Sequence, residues 1–407
     1  MPVIAQHIAS IPRSGIRAVF DQVEAYPDAI SLCVGEPSET AAPHIVDAAC
    51  DSIRRGQTKY TNVLGIEEFR EAAARYNLEA KGIRYDPAKE IQATAGATFA
   101  LFLALKAVAD PGDEVIIPSP FFTSYAAETL LCGAKPVTVA LRPEHRMQLN
   151  ADDIEAAITP RTRAVIINSP GNPTGAVTPH EELERIAQVC MRHNIWAISD
   201  EVYHPFVFAD GMDAAPSIAN VDGMKERTIV VESLSKTFAM TGWRIGYLLA
   251  PAQIIEHTGT IAELMQSSVN ATAQYAGTAA LAGPRDHIAA MREDYRVKRQ
   301  IVLDELAASD VLSLIEPQGA FYAFVDIRAT QLDSQDFAVR LLHDERVAVV
   351  PGDAFGHEGA GFARLSYAGD ADELREGVRR LRDFAERICD PLPGSRTRAY
   401  HRMGIMA

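Results

Sequence analysis

Short apolar runs alternate with helix-patterned segments over most of the sequence between residues 91 and 250. Several of the runs are near-continuous in Val, Ile and Ala, which is the pattern of strands that are buried on both faces of a mainly parallel sheet. Alternation of strand and helix indicates an α/β fold in which helices cover the sheet on both sides. The predicted strands are Ile91–Thr94, Glu114–Pro118, Pro136–Ala140, Arg163–Asn168, Ile195–Ser199, Thr228–Glu232 and Ile245–Ala250.

Four helices are predicted, one before these strands and three between them. Gly82 ends the first and Pro111 follows the second, because glycine and proline are common just beyond the last turn. Asn150 is a candidate N-cap of the third helix, since its short polar side chain can accept from unpaired backbone amides. The predicted helices are Ile66–Lys81, Ala97–Ala109, Asp152–Ile158 and Glu181–His193.

The pattern changes after about residue 250. Long helical segments come first, and short strands between helices follow, so the sequence predicts a second, smaller α+β domain. A length of 407 residues is sufficient for one large and one small domain. We expect residues 1–45 to contribute to the small domain, 46–285 to form the large domain, 286–390 to form the small domain and 391–407 to be a tail. The predicted elements are helices Ile254–Gln266, Ala271–Ala282, His287–Ala308, Gln335–Asp344 and Ala371–Cys389, and strands Tyr322–Asp326, Val347–Val350 and Phe362–Ser366.

Composition excludes several classes of partner and site. The net charge of −15 has the wrong sign for a protein that coats nucleic acid or an anionic membrane. The five cysteines form no C-x-x-C pair and the eleven histidines no H-E-x-x-H, so no metal site and no disulfide framework are predicted. The first residues lack a signal-peptide pattern, and the longest apolar stretch, Ala95–Leu105, is too short to span a membrane. We therefore expect a cytoplasmic protein.

One lysine follows the end of a predicted strand. Lys236 lies in the run Ser233–Phe238, and sites in open α/β sheets form at the carboxyl ends of strands. Partial burial there would lower the pKa of the amine and make it a nucleophile. Arg244 and the hydroxyls of Ser233 and Ser235 could hold a phosphate.

Other polar groups follow neighbouring strands. Asp200 ends one strand, with Tyr203 three residues later, and a Pro- and Gly-rich loop presents Asn172 after the preceding strand. The small residues from Gly96 to Thr98 join a strand to a helix, whose first turn offers unpaired amides to a phosphate. A carboxylate such as Asp200 could hold a proton on a ring nitrogen, and a phenol nearby could bond a ring oxygen.

The ordered set of motifs resembles the fold-type I pyridoxal-phosphate aminotransferases of class I/II. It consists of N-S-P-G-N-P-T-G, S-D-E-V-Y, S-L-S-K-T-F, G-W-R-I-G-Y and a late A-R-L-S-Y. The match runs from about residue 14 to residue 385. It implies pyridoxal phosphate as cofactor and a homodimer with shared active sites.

The resemblance also implies the role of each cofactor-binding residue. Lys236 would form the Schiff base with the cofactor and later move the substrate proton. Asp200 would pair with the pyridine nitrogen, while Tyr203 and Asn172 would bond the phenolic oxygen. The remaining implied contacts are Phe122 stacking on the ring, Ser233, Ser235, Arg244 and the backbone at Gly96, Ala97 and Thr98 at the phosphate, and Tyr60 reaching the phosphate of the partner subunit.

The implied substrate site centres on Arg364, which would bind the α-carboxylate through both arms of its guanidinium. Gly35 would line the same pocket, and Asn172 would contribute to it. Bacterial aspartate-type members often carry a lysine where Thr98 stands, which weighs against an aspartate preference. Arg13 or Arg17 either meets a side-chain carboxylate or is a solvated surface charge.

Three classes of function remain open at this point. The first is transfer of an α-amino group from an L-amino acid to a 2-oxo acid, namely 2-oxoglutarate or pyruvate. The second is other pyridoxal-phosphate chemistry on the same scaffold, as in a β-lyase, an oxidase or a cyclase. The third, a non-catalytic binding protein, is disfavoured because the reactive Lys, Asp and Arg are all present.

Overall fold

A computed structural model describes residues 23–389 and, before them, residues 3, 6–9, 11, 15 and 19. Arg13, Arg17 and the predicted tail 391–407 lie outside the described residues. The strands are β1 Ile30–Ser31, β2 Ile91–Thr94, β3 Glu114–Ser119, β4 Lys135–Ala140, β5 Thr162–Asn168, β6 Trp196–Asp200, β7 Thr228–Ser233, β8 Gly246–Leu249, β9 Ser313–Leu314, β10 Tyr322–Asp326, β11 Val347–Ala348, β12 Val350–Pro351 and β13 Phe362–Ser366. The longer helices are Pro43–Arg54, Glu67–Lys81, Ala97–Val108, Ser124–Leu131, Ala151–Ala157, His180–His193, Ala252–Gln266, Ala271–Ala282, Asp286–Ala307, Ser334–Glu345 and Ala371–Cys389.

The predicted α/β fold with a mainly parallel sheet is confirmed. The large sheet has seven strands in the order β2-β8-β7-β6-β5-β3-β4. Only β8 runs antiparallel to its neighbours, which are β2 and β7. β3 and β7 are buried along their whole length, as expected for central strands with helices on both faces. β4 lies at the edge and is largely exposed.

Helices cover both faces of this sheet because successive side chains of each strand point to opposite sides. Ala97–Val108 packs on one side, together with Ser124–Leu131 and Ala252–Gln266; we call this the near face. The opposite side, the far face, is covered by Glu67–Lys81 and His180–His193, among others. Each face therefore has its own apolar core.

The local signals at helix ends act as predicted. Asn150 Oδ1 accepts from the backbone amides of Asp152 at 2.9 Å and Asp153 at 3.2 Å. Gly82 ends its helix in the left-handed conformation at φ 72°, which costs glycine little. Two helices, Pro43–Arg54 and Ser124–Leu131, were not predicted.

A smaller sheet lies towards the end of the chain. It has the order β12-β13-β10-β9 and is antiparallel. β1, from the beginning of the chain, pairs in parallel with β11. The predicted single strand Val347–Val350 is wrong, because Val347–Ala348 pairs with β1 whereas Val350–Pro351 pairs with β13.

Two features are absent from the part of the chain that the structure describes. No helix there is long and apolar enough to cross a bilayer. No group of three His, Cys, Asp or Glu side chains there is placed to hold a metal ion.

Candidate active site

A cavity of about 250 Å³ lies where β5, β6 and β7 end and the small sheet approaches. The predicted site residues that line it are Gly35, Ala97, Thr98, Phe122, Asn172, Asp200, Tyr203, Ser233, Ser235, Lys236, Arg244 and Arg364. Leu101, Tyr125, Asn168, Val202, Thr241 and Tyr322 also line it and were not predicted. The structure thus brings together residues that are up to 329 positions apart in the chain (Gly35 and Arg364).

Strand register brings the first polar groups together. Asn168 and Asp200 are paired across β5 and β6. The Asn168 side chain donates to the Asp200 carbonyl at 3.2 Å and accepts from the Asn172 amide at 2.8 Å. Asn168 therefore fixes the Pro- and Gly-rich loop against the end of β6.

Lys236 lies in the short helix Leu234–Thr237, directly after β7. Ser233 caps this helix by accepting from the Ser235 amide at 3.0 Å, and Lys236 Nζ donates to the Gly35 carbonyl at 2.6 Å. Burial lowers the pKa of Lys236 to about 8, with Glu36 opposing this shift and nearby arginines adding to it. A substantial neutral fraction of the amine is therefore present near neutral pH.

Asp200 is 4% exposed and points to the near face. Its Oδ2 accepts from the Tyr125 hydroxyl at 2.6 Å. Burial raises the pKa of Asp200 to about 6, although the Tyr125 hydrogen bond lowers it. Among the described residues no cation forms an ion pair with Asp200, so a cationic ligand group would stabilise the carboxylate.

The hydroxyl of Tyr203 lies 2.9 Å from the hydroxyl of Tyr322. Burial raises the pKa of Tyr203 well above its usual value. The Tyr322 ring also lies 4.5 Å from the Arg364 guanidinium carbon, in a cation–π contact. Tyr322 thus connects a predicted cofactor residue to the predicted substrate residue.

Arg364 is only 1% exposed. Its Nη1 donates to Asn172 Oδ1 at 3.1 Å and its Nη2 to the Cys33 carbonyl at 2.7 Å. Its Nε is buried and has no hydrogen-bond partner among the residues that the structure describes. An unpaired buried donor is costly, and a ligand carboxylate in the cavity would satisfy it.

Gly96 precedes the helix Ala97–Val108 with φ 84°. A Cβ there would come within 2.8 Å of Arg244 Nη2, so the absent side chain makes room for the guanidinium. Arg244 is exposed and donates to the Thr241 carbonyl at 2.9 Å. A cation beside the unpaired amides of a helix's first turn suits a phosphate.

Phe122 and Tyr60, two of the three predicted aromatic residues, differ in position. Phe122 lines the cavity and packs edge-on against Tyr125, with ring centroids 5.7 Å apart. Tyr60 is 88% exposed and lies in a separate groove with Lys59 and Ser268. A single chain therefore does not bring Tyr60 to its own cavity.

Comparisons with known proteins agree with this geometry. The model of the family "Aminotransferase class I and II" matches residues 27–381. The chain is 41% identical over 370 residues to an aspartate aminotransferase of Pyrococcus abyssi, covering 90% of this chain and 94% of the relative. It is 41% identical over 361 residues to an arginine–pyruvate transaminase of Pseudomonas aeruginosa, covering 88% and 91%.

A solved structure shares the whole architecture. The aspartate aminotransferase of Thermus thermophilus with maleate superimposes with a TM-score of 0.89 at 35% identity, covering 95% of this chain and 100% of that one. Family, relatives and fold point to the same class of enzyme. The chain belongs to the class I and II aminotransferases, which are fold-type I enzymes that depend on pyridoxal phosphate.

Proposed function

We propose that this aminotransferase moves the α-amino group of an L-amino acid to 2-oxoglutarate or pyruvate in the cavity described above. The observation that carries the proposal is the convergence of three groups on one cavity. They are an amine of lowered pKa on Lys236, a carboxylate without a counter-ion on Asp200 and an unpaired guanidinium nitrogen on Arg364. Each group matches a different part of the expected ligands.

The cavity suits pyridoxal phosphate. The space beside Gly96, the exposed Arg244 and the first-turn amides at Ala97 and Thr98 fit its phosphate, with Ser233 and Ser235 beside them. Asp200 would hold the ring nitrogen in its protonated form. The other proposed contacts are Tyr203 and Asn172 at the phenolic oxygen and Phe122 on the ring face.

The bound cofactor supplies an electron sink that allows an unactivated α-proton to leave. The chain's own residues supply orientation and proton transfer. Lys236 Nζ is the proposed base that takes the α-proton and returns it, because its pKa is close to the working range of a general base. Asp200, which is buried, would keep the ring nitrogen protonated through charge pairing.

The proposed substrate contact is Arg364, whose Nε is free for one carboxylate oxygen while Asn172 and Cys33 fix its other nitrogens. Gly35 allows the Tyr322 hydroxyl to lie close to the backbone, because a Cβ at this position would be 2.5 Å from that hydroxyl. Both substrates of an aminotransferase carry an α-carboxylate, so one arginine can serve both half-reactions. The relatives are named for aspartate and for arginine with pyruvate, and the proposal extends only to the shared α-amino acid part.

We also propose a cytoplasmic homodimer whose active sites share residues. Exposed apolar side chains support the dimer, since Tyr60, Leu264 and Met265 are 88%, 83% and 55% exposed in the single chain. Tyr and Met side chains are enriched where one protein contacts another. Tyr60 would then reach the phosphate in the partner subunit.

The decisive experiment adds amino acids one at a time to the purified holoenzyme without an acceptor. Conversion of the visible cofactor band to the pyridoxamine form by a subset of amino acids is expected, and that subset identifies the donor class. Release of ammonia or uptake of oxygen instead would favour a β-lyase or an oxidase. Absence of any visible band after addition of pyridoxal phosphate would contradict the site assignment.

A further inference from the structure

A buried charged cluster lies on the far face of the large sheet, behind the cavity. The side chains of Lys81, Glu201 and Glu232 are 1%, 3% and 1% exposed. Lys81 Nζ donates to Glu201 Oε2 at 2.7 Å and also to Glu232. None of the three lines the cavity, so the cluster does not touch the ligands directly.

Each of the two carboxylates lies next in sequence to a residue that lines the cavity. Glu201 directly follows Asp200 at the end of β6, and Glu232 directly precedes Ser233 at the end of β7. Side chains alternate along a strand, so each glutamate points away from the cavity residue beside it. The Glu201 amide donates to the Val231 carbonyl at 3.1 Å, which keeps the two strand ends adjacent.

Lys81 is the cation that both carboxylates share. Ser199 and Ser217 donate to Glu201 Oε1 at 2.7 and 2.6 Å, but these hydroxyls are neutral. His204 Nδ1 lies 3.1 Å from the Glu201 carbonyl oxygen and 3.4 Å from Glu232 Oε1, and its Nε2 lies 3.0 Å from the Tyr76 hydroxyl. Burial alone would lower the pKa of Lys81, but the two carboxylates raise it.

Removal of this cation would leave two carboxylates close to each other in a buried part of the core. Repulsion between like charges is strong where the dielectric constant is low, and an unpaired buried charge is strongly destabilising. The repulsion falls if the two strand ends move apart or if one of the carboxylates takes up a proton. Either response would alter the surroundings of Asp200 and Ser233.

We propose that Lys81 is a positioning residue of the active site: by bridging the carboxylates of Glu201 and Glu232 it holds the ends of β6 and β7 together, so that Asp200 and Ser233 meet the same cofactor molecule. Lys81 touches neither the cofactor nor the substrate. It acts through the sheet, from the face opposite to the chemistry. The inference rests on the cofactor contacts proposed above.

The test compares the affinity of the apoenzyme for pyridoxal phosphate among three variants and the wild type. Lys81→Met should weaken binding at least tenfold. The double variant Lys81→Met/Glu232→Gln removes the repulsion, because the amide of Gln can donate to Glu201, and should return to within about threefold of wild type. Lys298→Met is the matched control, since Lys298 is a buried lysine that pairs with Asp294 at 2.6 Å within the helix Asp286–Ala307.

A spectroscopic readout separates positioning from loss of stability. We expect the pH midpoint of the visible band to move by about half a unit or more in Lys81→Met, to return in the double variant and to stay unchanged in Lys298→Met. Lys298→Met should lower only the melting temperature. If Lys81→Met behaves like Lys298→Met in affinity and pH midpoint, the inference is wrong.

The remaining outcomes are also decisive. If Lys81→Met does not fold, the double variant decides, because near wild-type affinity supports the inference and a tenfold loss overturns it. Failure of the wild-type apoenzyme itself to bind pyridoxal phosphate would contradict the proposed function instead.

Discussion

At the scale of single residues, burial shifts the pKa of the two central reactive groups towards their uncharged forms. It lowers the pKa of Lys236 to about 8 and raises that of Asp200 to about 6. The first shift favours a nucleophilic amine. The second shift means that a cation next to Asp200 would stabilise the folded protein by favouring the charged carboxylate.

Lys236 should therefore determine the pH dependence of cofactor capture. The rate of covalent capture by the apoenzyme should rise with pH and level off above a midpoint near 8, because only the neutral amine attacks the aldehyde. Mass spectrometry after borohydride reduction measures the adduct. Lys236→Ala should fold and show no adduct, and an adduct on that variant would refute the assignment.

Asp200→Asn should stabilise the apoenzyme while impairing catalysis. Because the pKa of Asp200 is raised, the folded state binds more protons than the unfolded state between about pH 4 and 6, so stability falls as pH rises through this window. The variant should gain about 1–3 kcal/mol in free energy of unfolding at pH 7.5 and little at pH 4. Denaturant titrations at both pH values measure this.

The same variant should lose about 100-fold or more in amino-transfer rate. Tyr203→Phe serves as the comparison, since it removes a hydrogen bond and leaves the charge of Asp200 intact; it should lose far less. Equal losses in the two variants would contradict the proposed role of Asp200.

Arg364→Ala should lower kcat/KM, with a loss of transition-state stabilisation of about 2–5 kcal/mol, because the substrate carboxylate would lose its buried cation. Steady-state kinetics with the donor amino acid measures this. Arg379 is a suitable control because it is 45% exposed and pairs only with neighbours on its own helix. Unchanged kcat/KM in Arg364→Ala would remove this residue from the substrate site.

At the scale of secondary structure elements, the junction between β2 and the following helix depends on a missing side chain. Gly96→Ala would place a methyl group against Arg244 at a φ of 84°. Gly112→Ala is the matched control, with φ 93° and no atom within 4 Å of the added Cβ. Both should lose about 1 kcal/mol of stability, but only Gly96→Ala should weaken pyridoxal phosphate binding, by about tenfold; equal affinities would contradict the phosphate site.

The elements that the sequence predicts best are those with a strong local signal. β2, β10 and β13 have their predicted bounds because turn residues flank apolar runs. β1 and β9 have two residues each, and a pattern of period two cannot be recognised over so short a span. The split of Val347–Val350 depends on which distant strand each half pairs with, which local sequence does not encode.

Site residues, like secondary structure elements, are predicted best where the local sequence carries a strong signal. Lys236, Asp200 and Arg364 lie in motifs with recognisable chemistry, and the structure places them around one cavity. Tyr125, Asn168 and Tyr322 were missed because each acts through a contact across the fold, such as the Tyr125 hydrogen bond to Asp200. Only the tertiary structure distinguishes them from ordinary core residues.

At the scale of the whole molecule, we propose a large domain of residues 46–285 and a small domain of residues 1–45 and 286–390, as the sequence predicts. The pairing of β1 with β11 supports the assignment of residues 1–45 to the small domain. Limited proteolysis that cuts close to residue 285 and leaves both parts folded would support the boundary between the large and the small domain.

The proposed shared site predicts complementation between two defective chains. Tyr60→Ala should weaken binding of the cofactor phosphate, and Lys236→Ala should be inactive. In a mixed dimer, the Tyr60→Ala chain supplies Lys236 and its partner supplies an intact Tyr60, so one native site forms. Co-refolded mixtures should therefore regain wild-type cofactor affinity in a fraction of sites, and no recovery would contradict the sharing.

The contacts of the segment around Cys33 have a consequence for how the enzyme is made. β1 pairs with Val347–Ala348, and the Cys33 carbonyl binds Arg364, so residues near the beginning of the chain pair with residues translated more than 300 codons later. A nascent chain can fold its large sheet long before these partners leave the ribosome. Its early segment must wait unpaired, and catalytic competence can arise only after Arg364 has been translated.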